Sequence, residues 1–379
     1  MHIFLEMMLM KIVYVVEWDS LAGGGFTAVS NLIETILKLK FPIEIHIVSF
    51  GKVSKTVSQN GYTLHLVQNI CFPSSKYWYS YKLIKDKILE IDPDLIHLHF
   101  TYPPYSYIST LPIPVIITAH SLSFIKTKGI HSKRSYVNLS FLIDPYFEKI
   151  ALKNADCVIA VSDWVKQNID NIIGCNTKTV YIPNGINYEK YEPLPQKQNI
   201  KNPSILTVGR LVKLKGMDLL IKALPNIKEL IPNIHLYIAG EGVQCEKLKS
   251  LAVRLNVQEN ITFLGFVSED KIIKMLSSVD IFVTSSRSET FGIVVLEALA
   301  AGTPVIASNV GGIPQLLNNG EYGLLVEPEN PEDLSSAVIK LIKDPVLMGE
   351  LSKKGRLRAQ EYSWNEITKK TIELYKLHI

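Results

Sequence analysis

Two glutamates, Glu289 and Glu297, stand with seven residues between them in SETFGIVVLEALAAGTPVIAS, Ser288–Ser308. Glu289 falls in the loop after an apolar strand expected at Ile281–Thr284. Glu297 falls one turn into a short helix expected to start near Gly292. Both positions lie at the carboxyl edge of a parallel sheet, where open α/β folds bind ligands. Ionised carboxylates accept hydrogen bonds, which suits hydroxyl-rich ligands such as a ribose or a sugar ring. Upstream, SILTVGRLVKLKG (Ser204–Gly216) leads from a strand through Arg210, Lys213 and Lys215 to a helix expected at Met217–Leu224. Cations beside a helix N-terminus make an anion site. Arg210 can hold a phosphate bidentately and Lys215 acts as a point charge, while Lys213 reads as a solvated charge. In the first half, Gly23-Gly24-Gly25 sits at a strand-to-helix turn whose amides can face an anion. His120 ends another apolar strand, at the same kind of edge. His97 and His99 share one strand face and read as packed or acceptor-side residues, with no carboxylate to complete a metal set.

The elements that must position these groups are apolar, β-branched runs alternating with helical patterns. Strands are expected at Lys11–Glu17, Ile43–Phe50, Thr63–Gln68, Leu95–Phe100, Pro114–His120, Cys157–Ser162 and Thr179–Pro183. A second set is expected at Ser204–Gly209, His235–Gly240, Ile261–Leu264, Ile281–Thr284, Pro304–Ser308 and Gly323–Val326. Near-continuous apolar strands separated by helices imply parallel sheets covered on both faces. Between the sets, EKYEPLPQKQNIKNP (Glu189–Pro203) is polar and holds three prolines, so it reads as a linker. The expected fold class is α/β, with two doubly wound, Rossmann-like domains facing a cleft. Their limits are 1–188 and 204–361, joined by the linker 189–203. The last stretch, 362–379, is helical in pattern and packs either on the first domain or as the last helix of the second.

The segment around the two glutamates, from SSRSETFG through EALAAGTPVIAS to GG-I-P, resembles the E-x7-E signature of the retaining glycosyltransferases of family 4, whose architecture is GT-B. The resemblance implies that Arg210 and Lys215, in G-R-x(3–4)-K-G, hold the donor diphosphate, with the loop of Gly24 and Gly25 beside it. It implies that Glu289 meets the donor sugar, Glu297 the ribose, and His120 (in TAHS) the sugar near the reacting carbon. Gly311 and Gly312 would approach ribose and phosphates, and Phe266 would border the nucleobase. Gly240, Gly292, Ser162 and Asn184 would complete the cleft, although Gly240 also fits an ordinary tight turn. Ser121, Asn187 and Gln315 replace the Asp or Gly, the Asp and the Glu more usual in the family. In family members the C-terminal helix crosses back to the first domain.

Composition sets the outer limits. The 379 residues, 47% apolar and 20% charged, suffice for two domains, and a net charge of +4 gives no case for nucleic acid. Cys71, Cys157, Cys175 and Cys245 are scattered without metal-ligand spacing, which suits a reducing cytoplasm. No apolar run reaches the roughly 20 residues of a membrane helix. Met1–Met10 make a poor signal peptide, and translation could start at Met1 or Met10. The basic, aromatic segment Phe124–Tyr136 fits an anionic acceptor, peripheral contact with the inner membrane face, or a solvated loop. The expected activity is metal-independent, retaining transfer of a sugar from a nucleotide-sugar donor, a UDP- or GDP-sugar, to a glycan or lipid-linked acceptor. No cofactor is expected, and oligomeric state is left open. Alternatives are a nucleotide-sugar 2-epimerase of the same fold and a non-catalytic nucleotide-sugar-binding protein.

Overall fold

The computed structural model describes residues 9–16, 24–68, 76–99, 105–120, 122, 140–174, 178–193, 200–201 and 203–379, with backbone alone for 24–25, 76–80 and 140–145. The chain divides into two units, Met1–Asn184 with Trp364–Ile379, and Gly185–Ser363. The division at Asn184 lies four residues before the expected limit of 188, and Tyr191, inside the expected linker, is buried.

The first unit carries β1 (Met10–Val15), β2 (Ile43–Gly51), β3 (Lys55–Gln59), β4 (Tyr62–Gln68), β5 (Leu95–Leu98), β6 (Val115–Ala119), β7 (Cys157–Ala160) and β8 (Thr179–Tyr181). Their order in the sheet is β3-β4-β2-β1-β5-β6-β7-β8. Every residue of β5, β6 and β7 is buried, as a parallel strand covered on both faces requires. β3 departs from the sequence reading. It is polar (KTVSQ), runs antiparallel at the sheet edge and turns into β4 at Asn60-Gly61, both at positive φ. An exposed edge strand needs no apolar run, so periodicity does not reveal it; the Asn-Gly pair is its signal.

The second unit carries β9 (Ser204–Val208), β10 (His235–Ala239), β11 (Ile261–Gly265), β12 (Ile281–Thr284), β13 (Val305–Ser308) and β14 (Leu324–Val326). All pair in parallel, in the order β11-β10-β9-β12-β13-β14. Numbered within the unit this is 3-2-1-4-5-6, the doubly wound order. The helix after β9 runs from Met217 to Leu230, past Pro225, whereas the sequence suggested an end at Leu224. Ile227 is buried with Leu220, Leu224 and Ile234 in the core, and that packing outweighs the backbone bond a proline forfeits.

The C-terminal helix, Trp364–Lys376, packs on helix Gly24–Lys38 in the first unit. Its Tyr375 is fully buried, and its hydroxyl lies 2.6 Å from His97 Nδ1 and 3.1 Å from the Tyr14 hydroxyl. His97 Nε2 meets Thr118 Oγ1 at 2.7 Å. Burial, helped by the charge of His120, pushes the His97 pKa down to about 3. The unfolded chain therefore takes a proton at His97 below about pH 6.5 while the folded chain refuses it until about pH 3. The stability held by the neutral ring is full above pH 6.5 and is lost as pH falls through that window. Urea titrations at pH 6.5 and 5.5 should show wild type losing more stability than His97→Gln, by about 1 kcal/mol between the two pH values. Equal slopes would mean that His97 accepts a proton in the folded state.

Candidate functional site

In the second unit the strand order turns between β9 and β12, and the carboxyl ends of the strands at such a turning point are where open α/β sheets bind ligands. The loop after β9 holds exposed Arg210, then a single 3-10 turn, Lys213–Lys215, and Gly216 at φ 65° before the helix. The loop after β12 holds Ser285 to Gly292, ahead of helix Ile293–Ala300. The two loops are joined by Ser285 Oγ donating to the Gly216 carbonyl at 2.7 Å and by the Arg287 amide donating to the Leu214 carbonyl at 2.8 Å. A Cβ on Gly216 would sit 1.8 Å from the Ser285 carbonyl oxygen, so only glycine permits this approach.

That approach places Lys215 Nζ in an ion pair with Glu289. Both side chains keep partial exposure, 24% and 18%, so a ligand can reach either. The loop after β13 supports Glu289 from its other side. The Gly312 amide donates to the Glu289 carbonyl at 3.0 Å, and a Cβ on Gly311 would lie 1.7 Å from that oxygen. Gly292, at φ 97°, caps the helix bearing Glu297.

Glu297 is half-buried. Burial first, then the charge of Glu269, raises its pKa to about 7, with Lys190 opposing. Lys190 Nζ is itself held by Glu269 at 2.6 Å. A carboxyl that gains a proton near neutrality can donate a hydrogen bond as well as accept one. At the third strand end, the Gly240 amide donates to the Gly265 carbonyl at 2.8 Å. Phe266, next in the chain, is 75% exposed, a large apolar ring with one face to offer.

In the first unit His120 follows β6 and His99 follows β5. Their rings stack with centroids 5.2 Å apart, and His99 Nδ1 lies 2.9 Å from His120 Nε2. Burial lowers the His120 pKa to about 4 and holds His99 well below its usual range, so both are neutral at pH 7. Together with Asn184, Thr371 and Trp364 they line a small recess within this unit. Ser162, expected to face a ligand, is 1% exposed and caps helix Asp163–Ile173, its Oγ accepting from the Val165 amide at 3.2 Å. Gly24 and Gly25 form the first turn of helix Gly24–Lys38 rather than a loop ahead of it, so their amides are among those a helix leaves unpaired within itself. Gly23, Ser121 and the basic segment 124–136 lie outside the described residues.

Sequence reading passed over three residues that organise the site. Arg287, two positions before Glu289, bonds Asp218 and Glu329 as well as the Lys213 carbonyl. Among the described residues, no three His, Cys, Asp or Glu come together as a metal site, and no helix is long and apolar enough to cross a membrane.

Comparison with known proteins agrees with this arrangement. The family description "Glycosyltransferase Family 4" matches residues 22–190, and "Glycosyl transferases group 1" matches residues 191–358. An uncharacterised glycosyltransferase of Methanocaldococcus jannaschii is 29% identical over 96% of this chain and 97% of its own. The phosphatidyl-myo-inositol mannosyltransferase of Mycobacterium leprae is 30% identical over 76% of this chain and 75% of its own. Among solved structures, sucrose-phosphate synthase from Thermosynechococcus elongatus superposes with a TM-score of 0.83 at 24% identity, covering 97% of this chain and 98% of that one, which shows the shared GT-B fold class. A sheet in the 3-2-1-4-5-6 order, a lysine–glutamate pair at its turning point and two family matches that abut at residue 190 converge on one assignment: the chain belongs to the group 1, family 4 glycosyltransferases.

Proposed function

We propose that this glycosyltransferase moves a sugar from a nucleotide-sugar donor, a UDP- or GDP-sugar, to a hydroxyl of a glycan or lipid-linked acceptor, and that the anomeric configuration is kept. The observation that carries the reading is the Lys215–Glu289 pair at the turning point of the second sheet. It presents a cation suited to phosphate and a carboxylate suited to sugar hydroxyls side by side. The leaving group is a nucleoside diphosphate, and the charge growing on it needs donors already in place. Arg210, Lys215 and the amides that open helix Met217–Leu230 supply them, without a resident metal. Gly24 and Gly25, at the start of the first-unit helix, are assigned the same diphosphate by the family resemblance.

Glu289 accepts from the donor-sugar hydroxyls and supports the positive charge that develops at the anomeric carbon. Glu297 meets the ribose diol, and with a pKa near 7 it can both give and take a hydrogen bond there. Phe266 offers its exposed ring to the base. His120, neutral at pH 7, acts on the sugar as a hydrogen-bond partner rather than as a cation. A lipid-linked acceptor is supported by the kinship with a phosphatidyl-myo-inositol mannosyltransferase and by the basic segment 124–136, which would favour an anionic surface such as the cytoplasmic face of a membrane.

A thermal-shift panel of UDP-, GDP-, ADP- and dTDP-sugars tests donor binding. A ligand at 100 times its dissociation constant adds about 2.7 kcal/mol of stability. One nucleotide series should stabilise wild type and much less Lys215→Ala; no shift with any series contradicts the reading. With that donor and an acceptor, proton NMR of the product should show the donor's own anomeric configuration, and an inverted product would refute retention. Glu289→Gln should lower kcat by about 10²–10³ without weakening the affinity for the free nucleoside diphosphate; a loss in affinity alone would move Glu289 from the sugar to the phosphates.

A further inference from the structure

Arg287 is the most fully used side chain near the site. Its guanidinium has five N–H groups, and all five are spent. Nη1 and Nη2 reach the two Asp218 oxygens at 2.7 and 3.0 Å. Nε and Nη2 take the two Glu329 oxygens, the second at 3.1 Å. Nη1 also donates to the Lys213 carbonyl at 2.6 Å. The side chain is 9% exposed, with its Asp218 fork partly buried and its bonds to Glu329 and the Lys213 carbonyl open to solvent.

Three features link this cluster to phosphate binding. The Lys213 carbonyl also accepts the Gly216 amide at 3.2 Å, closing the turn that carries Lys215. With the Arg287 amide on the Leu214 carbonyl, one residue of the Glu289 loop therefore fixes two successive carbonyls of the lysine turn. Next, Asp218 stands in the first turn of helix Met217–Leu230, where an uncompensated carboxylate would repel an anion from the helix N-terminus. The bonds and charge of Arg287 outweigh the burial that would raise the Asp218 pKa and hold it below its usual value. With Lys222 at 3.4 Å from Asp218, two cations balance two carboxylates, and the cluster is neutral. Finally, Glu329 keeps a left-handed backbone, φ 60°, which costs a non-glycine residue energy, while both its oxygens hold the guanidinium.

We infer that Arg287, gripped by Asp218 and Glu329, is a positioning residue for the donor diphosphate: it sets the Lys213–Gly216 turn and neutralises Asp218, without touching the donor. This rests on the reading of Lys215 and the helix N-terminus as the phosphate end of a nucleotide-sugar site. Arg287→Lys keeps the charge but cannot make the two forks.

The test uses the full chain and ligand-observed NMR. Affinity is measured for whichever of UDP, GDP and ADP wild type binds, and for the matching nucleoside, with wild type, Arg287→Lys and Glu329→Gln. Because Arg287→Lys disturbs a buried cluster, Glu329→Gln provides a second variant at a carboxylate that is 57% exposed. Arg287→Lys should weaken the nucleoside diphosphate by about tenfold or more, the scale of one charge-assisted bond, and leave the nucleoside unaffected. Glu329→Gln should move the same way by less. Equal loss of nucleoside and diphosphate, or no loss of either, overturns the inference. Wild type that binds no nucleoside diphosphate fails the functional reading instead, and the inference with it.

Discussion

Close backbone approach at two glycines is the constraint on which the second unit's site depends. The Glu289 carbonyl oxygen occupies the space a side chain on Gly311 would need, and the Ser285 carbonyl does the same at Gly216. These approaches draw the loops after β9, β12 and β13 together at one sheet edge. Only then do Lys215 and Glu289 meet, although 73 residues of chain lie between them. The pair leaves neither charge uncompensated while both remain reachable. Under the proposed function, an exchange of partners, ammonium to phosphate and carboxylate to sugar hydroxyl, would let an arriving donor replace one set of charge-assisted bonds with another.

The first unit solves a different problem. His97, His99 and His120 sit at the ends of neighbouring strands, and burial keeps them uncharged. The C-terminal helix contributes directly, because the Tyr375 hydroxyl bonds His97 and its ring closes over the same cluster. His120 is thus backed by His99, while His97 is held between Tyr375 and Thr118. A rigid neutral imidazole suits hydrogen bonding to a sugar, and its lowered pKa argues against a cationic role at neutral pH.

Much of this was legible in the sequence because parallel strands buried on both faces are continuous apolar runs. Ile281–Thr284 was read to the residue, and β5 to β7 within a few residues at their ends. Glu289 and Lys215 could be singled out because carboxylates and cations at strand ends are exceptional in apolar surroundings. Their mutual pairing was not legible, since nothing local joins residues so far apart. Arg287 passed unnoticed for the same reason: its partners Asp218 and Glu329 lie 69 and 42 positions away, and an arginine in a polar loop has no pattern of its own. β3 escaped because an edge strand can be polar, and the helix through Pro225 escaped because tertiary packing overrode a local breaker.

The proposed place of the donor diphosphate is the turning point of the second sheet. The most direct measurement is a crystal structure with the nucleotide sugar that stabilises the protein. Diphosphate oxygens are expected within hydrogen-bond distance of Arg210 and Lys215, with the sugar ring beside Glu289 and Arg287 still bound to Asp218 and Glu329. A diphosphate bound at any other edge, with the Lys215–Glu289 pair intact and untouched, would contradict it.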